Sequence, residues 1–457
     1  MVGERIDYTI ERQRHESFVG REEILAQLDR LLVTEPADRS VLITGAPGRG
    51  KSALLAWWIV RREGAGERVP YHFIRRAEYD WDDPGRLVGS LIWQIGQRFP
   101  ALREAEGDAR LPPAARLAAA LERVSADELV PSGRRLVLVI DGLDEHDPSL
   151  GDAVVDPLAT YLPDALPRGV SLLCAARSGH ASVAALERRS DVERIDLDDP
   201  ARAADNTATI RSFWEQAARP LGLGPVFVNE AVARADGNLQ HATMLRKYLA
   251  GLPSAQRRVK SVPGGLEALL GKLWDRVVLD PVAVQGFALL CVAREALTLE
   301  ELGAAAGWSD DAQRRRFAWS ARELLAETWR PDGPREYRLH HEAIRAHIAA
   351  AIGLAALRVQ HGLLARRLAV WPTSPEPARR RYALRHGLAH RAAAGDWADA
   401  WRLAADEGFL EAKRCELGTR DAAADLTRLA LRARAAGNTP LAGRFEELAR
   451  TLVAEGT

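Results

Sequence analysis

The chain has 457 residues, and its 63 Lys and Arg residues equal its 63 Asp and Glu residues. This length predicts about three domains of ~150 residues each, and the neutral balance argues against a general binder of nucleic acid or of acidic membranes, since both need a basic surface. Three separate cysteines without a CxxC pair, and no run near the ~20 apolar residues of a membrane span, predict a cytoplasmic protein with no disulfide framework or zinc site.

Residues 1–16 are polar and charged, which predicts neither a regular element nor a signal peptide. After them, segments with helical spacing alternate with short apolar runs that are typical of buried strands. Leu136–Ile140 is apolar throughout, as in a central parallel strand covered on both faces. We predict strands at 41–44, 69–74, 136–140 and 170–175, and helices at 22–32, 51–62, 85–99 and 111–124. This alternation predicts a doubly wound α/β domain with a parallel sheet up to about residue 195.

From residue 201 onward nearly every segment has helical periodicity. The exception is 328–340, where two short extended runs flank a Pro-Asp-Gly-Pro turn and predict a β-hairpin. Helices predicted at 282–293, 299–306, 310–326 and 341–350 surround this hairpin in the order of a winged helix. The tail from 354 contains a weak self-match between 392–396 and 434–438, which favours stacked helical hairpins.

A phosphate-binding loop lies between the first predicted strand and its helix. Residues 45–52 match the GxxxxGK[ST] pattern, in which backbone N–H groups surround phosphates and the next helix points its positive end at them. Lys51 would reach the β- and γ-phosphate oxygens, and Ser52 would ligate Mg²⁺. The predicted nucleotide-binding residues of this loop are Gly45, Ala46, Pro47, Gly48, Arg49, Gly50, Lys51, Ser52 and Ala53.

Acidic residues follow the most strand-like run. Asp141 would hold Mg²⁺ directly or through water, because a P-loop needs a second acid at the end of a neighbouring strand. Asp144 or Glu145 could orient or deprotonate the attacking water. Arg177 ends the next predicted strand and could sense the γ-phosphate. None of the five lysines has Asp two places on, so the guanine-reading [NT]KxD pattern is absent and ATP is favoured over GTP.

These segments together resemble the NACHT branch of the STAND (signal-transducing) P-loop NTPases. Residues 141–145, Asp-Gly-Leu-Asp-Glu, resemble the acidic motif of that branch, and 237–239, Gly-Asn-Leu, resemble its helical segment that meets the nucleotide. Residues 18–22, Phe-Val-Gly-Arg-Glu, resemble an opening element beside the adenine, which implies that Phe18, Val19 and Arg21 bind the cofactor. Residues 339–345 resemble a winged-helix motif whose histidine contacts ADP phosphate, which implies His341, with His340 as the alternative.

The resemblance implies an ATP/ADP switch with slow hydrolysis and Mg²⁺. ADP would hold a closed monomer, a trigger ligand would loosen it, and ATP would replace ADP in chains that then assemble into a homo-oligomer. It also implies a separate effector protein or a missing effector domain, and a role in bacterial defence or stress signalling. The lack of a long apolar run predicts no membrane partner, and the neutral charge argues against a nucleic-acid partner. The implied domains are an extension (1–16), a NACHT-type nucleotide-binding domain (17–198), a helical domain (199–265), a winged-helix domain (266–352) and a helical tail (353–457).

Three other functions use the same motifs. A nucleotide-switched transcription regulator would carry a dedicated DNA-binding domain, which we do not find in the sequence. An AAA-type remodelling motor would form constitutive rings with fast turnover. A nucleotide-locked adaptor would bind without hydrolysis.

Overall fold

The computed structural model describes residues 6, 8–13, 20–35, 39–75, 81–102, 108, 111–145, 158, 161–188, 192–259, 262–320, 322–328, 333–372 and 377–455. They form two compact units, of which the first extends to Leu269 and the second begins at Leu270. The break falls close to the predicted boundary at 265/266, whereas the finer domain divisions stay predictions.

The first unit alternates strands and helices and then becomes helical. Its strands are β1 (Ser40–Thr44), β2 (Tyr71–Phe73), β3 (Leu136–Asp141), β4 (Val170–Ala176) and β5 (Val192–Asp196). Its helices are α1 (Thr9–Gln13), α2 (Glu22–Asp29), α3 (Lys51–Gly64), α4 (Pro84–Arg98), α5 (Pro113–Val124), α6 (Val130–Ser132), α7 (Ala181–Glu187), α8 (Ala203–Ala218), α9 (Pro225–Ala235) and α10 (Leu239–Ala250), and α11 (Gly265–Val277) continues across the break.

The five strands form a parallel sheet in the order β2-β3-β4-β1-β5. Side chains of the central strands alternate between two cores, because successive residues of a strand point to opposite faces. Leu138 and Ile140 pack with α4, α5 and α7 on one face, while Val137 and Val139 pack with α2 and α3 on the other. The predicted doubly wound sheet is confirmed, and its register places the carboxyl ends of all five strands along one edge.

The second unit contains a small antiparallel sheet and a helical tail. Its strands β6 (Leu297–Thr298), β7 (Leu325–Thr328) and β8 (Glu336–Leu339) pair in the order β6-β8-β7. Its helices are α12 (Pro281–Val292), α13 (Leu299–Ala306), α14 (Asp311–Ser320), α15 (Glu342–Ile352), α16 (Leu354–Arg367), α17 (Pro377–Ala394), α18 (Trp397–Ala404), α19 (Glu407–Leu417), α20 (Thr419–Ala435) and α21 (Thr439–Glu455). The order of α12 to α15 around the hairpin agrees with the predicted winged helix.

Three local predictions were wrong. The helix expected at 310–326 ends at Ser320, because residues 325–328 instead pair with β8, a tertiary contact that local spacing cannot show. The polar segment 1–16 contains the short helix α1, which is held by side-chain contacts with the sheet. Strand β5 was missed because its Val-Glu-Arg-Ile-Asp sequence lacks the apolar run of a buried strand.

The weak internal repeat has a structural counterpart. Gly395 and Gly437 each lie between two helices, with φ angles of 83° and 78° that favour glycine. Asp396 caps α18, and the Asn438 side chain accepts a hydrogen bond from Leu441 N at the start of α21. Both copies therefore mark the same kind of helix–turn–helix junction within one hydrophobic core that runs from α17 to α21.

Candidate functional site

The phosphate-binding loop connects the carboxyl end of β1 to α3. Gly48 and Gly50 have φ angles of 84° and 85°, which side-chain-bearing residues rarely adopt. A Cβ atom on Gly48 would also lie 2.4 Å from the Asn238 side-chain oxygen. The glycines thus permit both the turn and the close approach of a second segment.

Lys51 begins α3 and folds back over the loop. Its Nζ donates hydrogen bonds to the Gly45 carbonyl at 2.6 Å and the Ala46 carbonyl at 3.2 Å. Burial lowers the pKa of Lys51, against the opposing effect of the nearby Asp144 and Asp141 carboxylates. The ammonium group is therefore held at the loop by weak carbonyl partners that phosphate oxygens could replace.

Ser52 and Asp141 converge on one point. The Arg75 Nη2 atom is 3.3 Å from Ser52 Oγ and 2.5 Å from Asp141 Oδ2. Hydroxyl and carboxylate oxygens are suitable ligands for Mg²⁺, which usually takes one or two protein ligands plus substrate phosphates. No group of three or more His, Cys, Asp or Glu side chains among the described residues could hold a metal. Ser52 and Asp141 therefore fit a Mg²⁺ ion whose remaining ligands come from a nucleotide and water.

Gly142 leaves space for Arg75 directly after β3. Its φ is +80°, and a Cβ atom there would lie 2.6 Å from the Ile74 carbonyl oxygen and 2.8 Å from Arg75 Nη1. Only glycine lets the chain leave β3 while Arg75 stays beside Asp141.

The other predicted catalytic residues are Asp144, Glu145 and Arg177, and two of them, Asp144 and Arg177, form an ion pair. Arg177 donates to Asp144 twice, from Nε to Oδ2 at 2.7 Å and from its backbone N–H to Oδ1 at 3.0 Å. Glu145 instead has a partly exposed carboxylate whose Oε1 lies 3.6 Å from Arg75 Nη1. Of the two acids, Glu145 is the better placed to act on a water molecule, while Asp144 orients Arg177.

Two segments beyond the sheet hold the loop from outside. Asp198, just after β5, accepts hydrogen bonds from the Ala46 N–H at 2.6 Å and from Arg49 Nε at 2.5 Å. Asn238 caps α10 by accepting from His241 N, and its Nδ2 donates to the Pro47 carbonyl at 3.0 Å. The Gln240 N–H donates to the Gly48 carbonyl at 3.1 Å. The helical segment after β5 therefore contacts the loop directly.

Arg21 is a buried arginine beside the loop. It is 2% exposed, adopts a left-handed backbone conformation, and donates through Nη2 to the Arg49 carbonyl at 2.6 Å. Its Nε and Nη1 atoms are buried and have no hydrogen-bond partner among the described residues, and burial lowers its pKa to about 10. Unpaired buried N–H groups cost free energy unless a ligand accepts from them, so Arg21 fits a nucleotide beside the loop.

His341 lies in the second unit, and Phe18 and Val19 lie outside the described residues. The exposed His341 is the N-cap of α15, where its Nδ1 accepts a hydrogen bond from Ala343 N at 3.1 Å. Its neighbour His340 continues the hairpin through a backbone bond to Leu324. The predicted nucleotide contact of either histidine stays a prediction.

Sequence reasoning missed Arg75, Asp198 and Glu11. Arg75 follows β2 at the same carboxyl edge as Asp141, so the rule that located Asp141 could have found it. Asp198 follows a strand that was itself missed. Glu11 carried no usable signal, because only the tertiary fold brings it to Arg75 at 2.7 Å.

One family model and a number of solved structures resemble parts of the chain. The family described as Nephrocystin 3, N-terminal, matches residues 26–177. No curated protein has a significant match to the chain. Among solved structures, the Aeropyrum pernix ORC2 protein in ADPNP and ADP complexes is 14% identical, with 74% of this chain and 97% of that chain covered and a TM-score of 0.36. Cdc6p from Pyrobaculum aerophilum is also 14% identical, with 76% and 98% covered and a TM-score of 0.32. At these scores neither likeness carries an argument about function.

No single helix in the described part of the chain is long and apolar enough to cross a membrane. Helices α15 and α16 reach the necessary length and hydropathy only when they are taken together, and they are bent by 108° relative to each other.

The glycine loop between β1 and α3, the parallel sheet and the family match over both give the first unit the P-loop NTPase fold.

Proposed function

We propose that this chain binds ATP and ADP with Mg²⁺ and works as a slow, nucleotide-controlled switch of the STAND class, in its NACHT branch. The supporting observation is that two different segments meet at one loop. Lys51, Ser52 and Asp141 approach it from the sheet, and the helical segment approaches it through Asn238 and Gln240. A nucleotide held there would contact both segments, so ATP and ADP can favour different arrangements of them.

Each residue of the site has a proposed task. Lys51 and the loop N–H groups bind phosphate oxygens, and Ser52 and Asp141 hold Mg²⁺, which when bound neutralises phosphate charge. Glu145 accepts a proton from, or orients, the attacking water. Arg177, held by Asp144, would contact the terminal phosphate. Arg21 donates its unpaired N–H groups to the nucleotide.

The switch would act through the winged-helix region. In this proposal His341 donates to an ADP phosphate and keeps the chain closed, and a trigger ligand weakens that contact. ATP then replaces ADP, the chains form a homo-oligomer, and an effector protein responds. The helical tail is the proposed surface for sensing or docking.

The test separates the histidine's phosphate contact from its capping role. His341→Asn removes the imidazole but keeps a good N-cap side chain for α15. We expect this variant to co-purify with less ADP and to form more oligomer with ATP, as measured by nucleotide chromatography and light scattering. His347→Asn, on the same helix but away from its N-terminus, is the control. Equal ADP occupancy in wild type and His341→Asn would remove His341 from the mechanism.

A further inference from the structure

The guanidinium group of Arg75 lies where a cation would bind Ser52 and Asp141. Its side chain is 11% exposed and contacts three carboxylates: Asp141 at 2.5 Å, Glu11 at 2.7 Å and Glu145 at 3.6 Å. Its Nη1 also donates to the Ile74 carbonyl at 2.8 Å. One positive charge is therefore shared among three negative charges.

This arrangement is incompatible with a metal ion on the same oxygens. Mg²⁺ binds its oxygen ligands at about 2.0–2.1 Å, whereas Arg75 Nη2 already donates to Asp141 Oδ2 and lies 3.3 Å from Ser52 Oγ. Two cations at such short range repel each other strongly in a buried site. The Oδ2 atom of Asp141 can therefore bind Arg75 or Mg²⁺, but not both in this geometry.

The other end of Arg75 holds the N-terminal helix. Arg75 Nε and Nη2 both donate to Glu11 Oε1, at 3.0 and 2.7 Å, and Glu11 is 3% exposed. Helix α1 has five residues, too few to be stable by itself. The position of α1 therefore depends on side-chain contacts. Through Arg75, Glu11 links α1 to Asp141 and Ser52, the residues that fit Mg²⁺.

Other contacts of the N-terminal segment, among the described residues, lie away from the loop. Tyr8 packs against Tyr71 and Trp81, and its hydroxyl donates to His72 Nδ1 at 2.6 Å, since His72 Nε2 must donate to the Trp81 carbonyl. Arg12 pairs with Glu63 at 2.6 Å. These contacts do not involve Asp141 or Ser52.

We propose that Arg75 and Mg²⁺ are alternative partners of Asp141 and Ser52, and that their exchange loosens the N-terminal helix through Glu11. Without Mg²⁺, Arg75 joins the loop, β3 and α1. When Mg·nucleotide binds, Arg75 leaves Asp141, and the Glu11 contact is displaced with it. The inference rests on the proposed nucleotide function. It adds that binding of Mg·nucleotide changes how firmly α1 is held.

Amide hydrogen exchange of residues 9–13 in the full chain tests this exchange of partners. Wild type is compared without nucleotide, with ATP plus EDTA, and with ATP plus Mg²⁺, and a fluorescent ATP analogue reports binding separately. We expect Mg·ATP to accelerate exchange in α1 roughly tenfold relative to ATP with EDTA. Unchanged or slower exchange while the nucleotide is bound overturns the inference but not the proposed function. Absence of nucleotide binding overturns both.

Two variants distinguish this route from general loosening. Glu11→Gln should exchange faster in α1 without ligand and lose most of the further acceleration by Mg·ATP. Arg12→Gln removes an anchor that does not touch the site, so it should also exchange faster without ligand but keep the Mg·ATP response. A full Mg·ATP response in Glu11→Gln contradicts the proposed link.

Discussion

Buried charges in the helical tail and at the phosphate-binding loop are satisfied in different ways. In the tail, Lys413 is 1% exposed and donates to Asp425 at 2.6 Å, and Asp425 also accepts from Arg428 at 3.0 Å. Burial raises the pKa of Asp425, but Lys413 and Arg428 more than offset this and hold it below its usual range. At the loop, Arg75 is shared among three carboxylates, and the Nε and Nη1 atoms of Arg21 have no hydrogen-bond partner among the described residues.

The difference separates charges that stabilise the fold from charges that await a ligand. The tail pair has its partners within the chain, so removing one member leaves a buried charge and costs stability. The loop residues have partners that are incomplete or shared, so removing one should affect nucleotide binding or hydrolysis more than folding. Three substitutions test this distinction.

Asp425→Asn leaves the Lys413 ammonium buried without a carboxylate. We expect it to destabilise the second unit by about 3–5 kcal/mol, the usual cost of breaking a buried ion pair, and to leave nucleotide binding unchanged. Differential scanning calorimetry, which can separate the transitions of two units, measures the loss. Arg434→Gln, in the exposed Arg434–Glu446 pair of the same tail, should change little. An equally small effect of Asp425→Asn would contradict the claim that the buried charges of the tail stabilise the fold.

Glu145→Gln keeps the size of the proposed base but removes its ability to accept a proton. We expect ATP hydrolysis to fall at least about 10²-fold, with ATP binding retained and the ATP-bound oligomer accumulating. Phosphate release and light scattering measure the two effects. Unaltered hydrolysis would rule out Glu145 as the base, and rapid turnover in wild-type rings would favour the motor over the switch.

Arg21→Gln removes the buried guanidinium group, including its Nε and Nη1 atoms. We expect nucleotide affinity to fall roughly tenfold, as for the loss of a charge-assisted hydrogen bond, with little change in the melting temperature of the nucleotide-free chain. Fluorescence titration and thermal melting provide the measurements. Arg61→Gln, on the half-exposed side of α3, is the control. A large loss of stability with unchanged affinity would make Arg21 a structural residue.

The sequence predicted those parts of the site that depend on local spacing. Lys51, Ser52 and Asp141 were predictable because the loop pattern and the apolar strand before Asp141 are continuous in the chain. Arg75 follows a predicted strand and could have been found by the same rule as Asp141, whereas Glu11 could not, because only the tertiary fold brings it to Arg75. The sheet's central strands were visible as apolar runs, whereas β5 and the first strand of the hairpin depend on pairing with distant segments.

Calorimetric titration of Mg·ATP and of ADP into wild type and Lys51→Ala decides whether the loop binds adenine nucleotides. We expect wild type to bind both nucleotides. The variant should melt at the same temperature but show affinity reduced by at least about 100-fold, since Lys51 would contact the phosphates directly. Equal binding by the two proteins, or no adenine-nucleotide binding by nucleotide-free wild type, would contradict the claim that this loop is an adenine-nucleotide site.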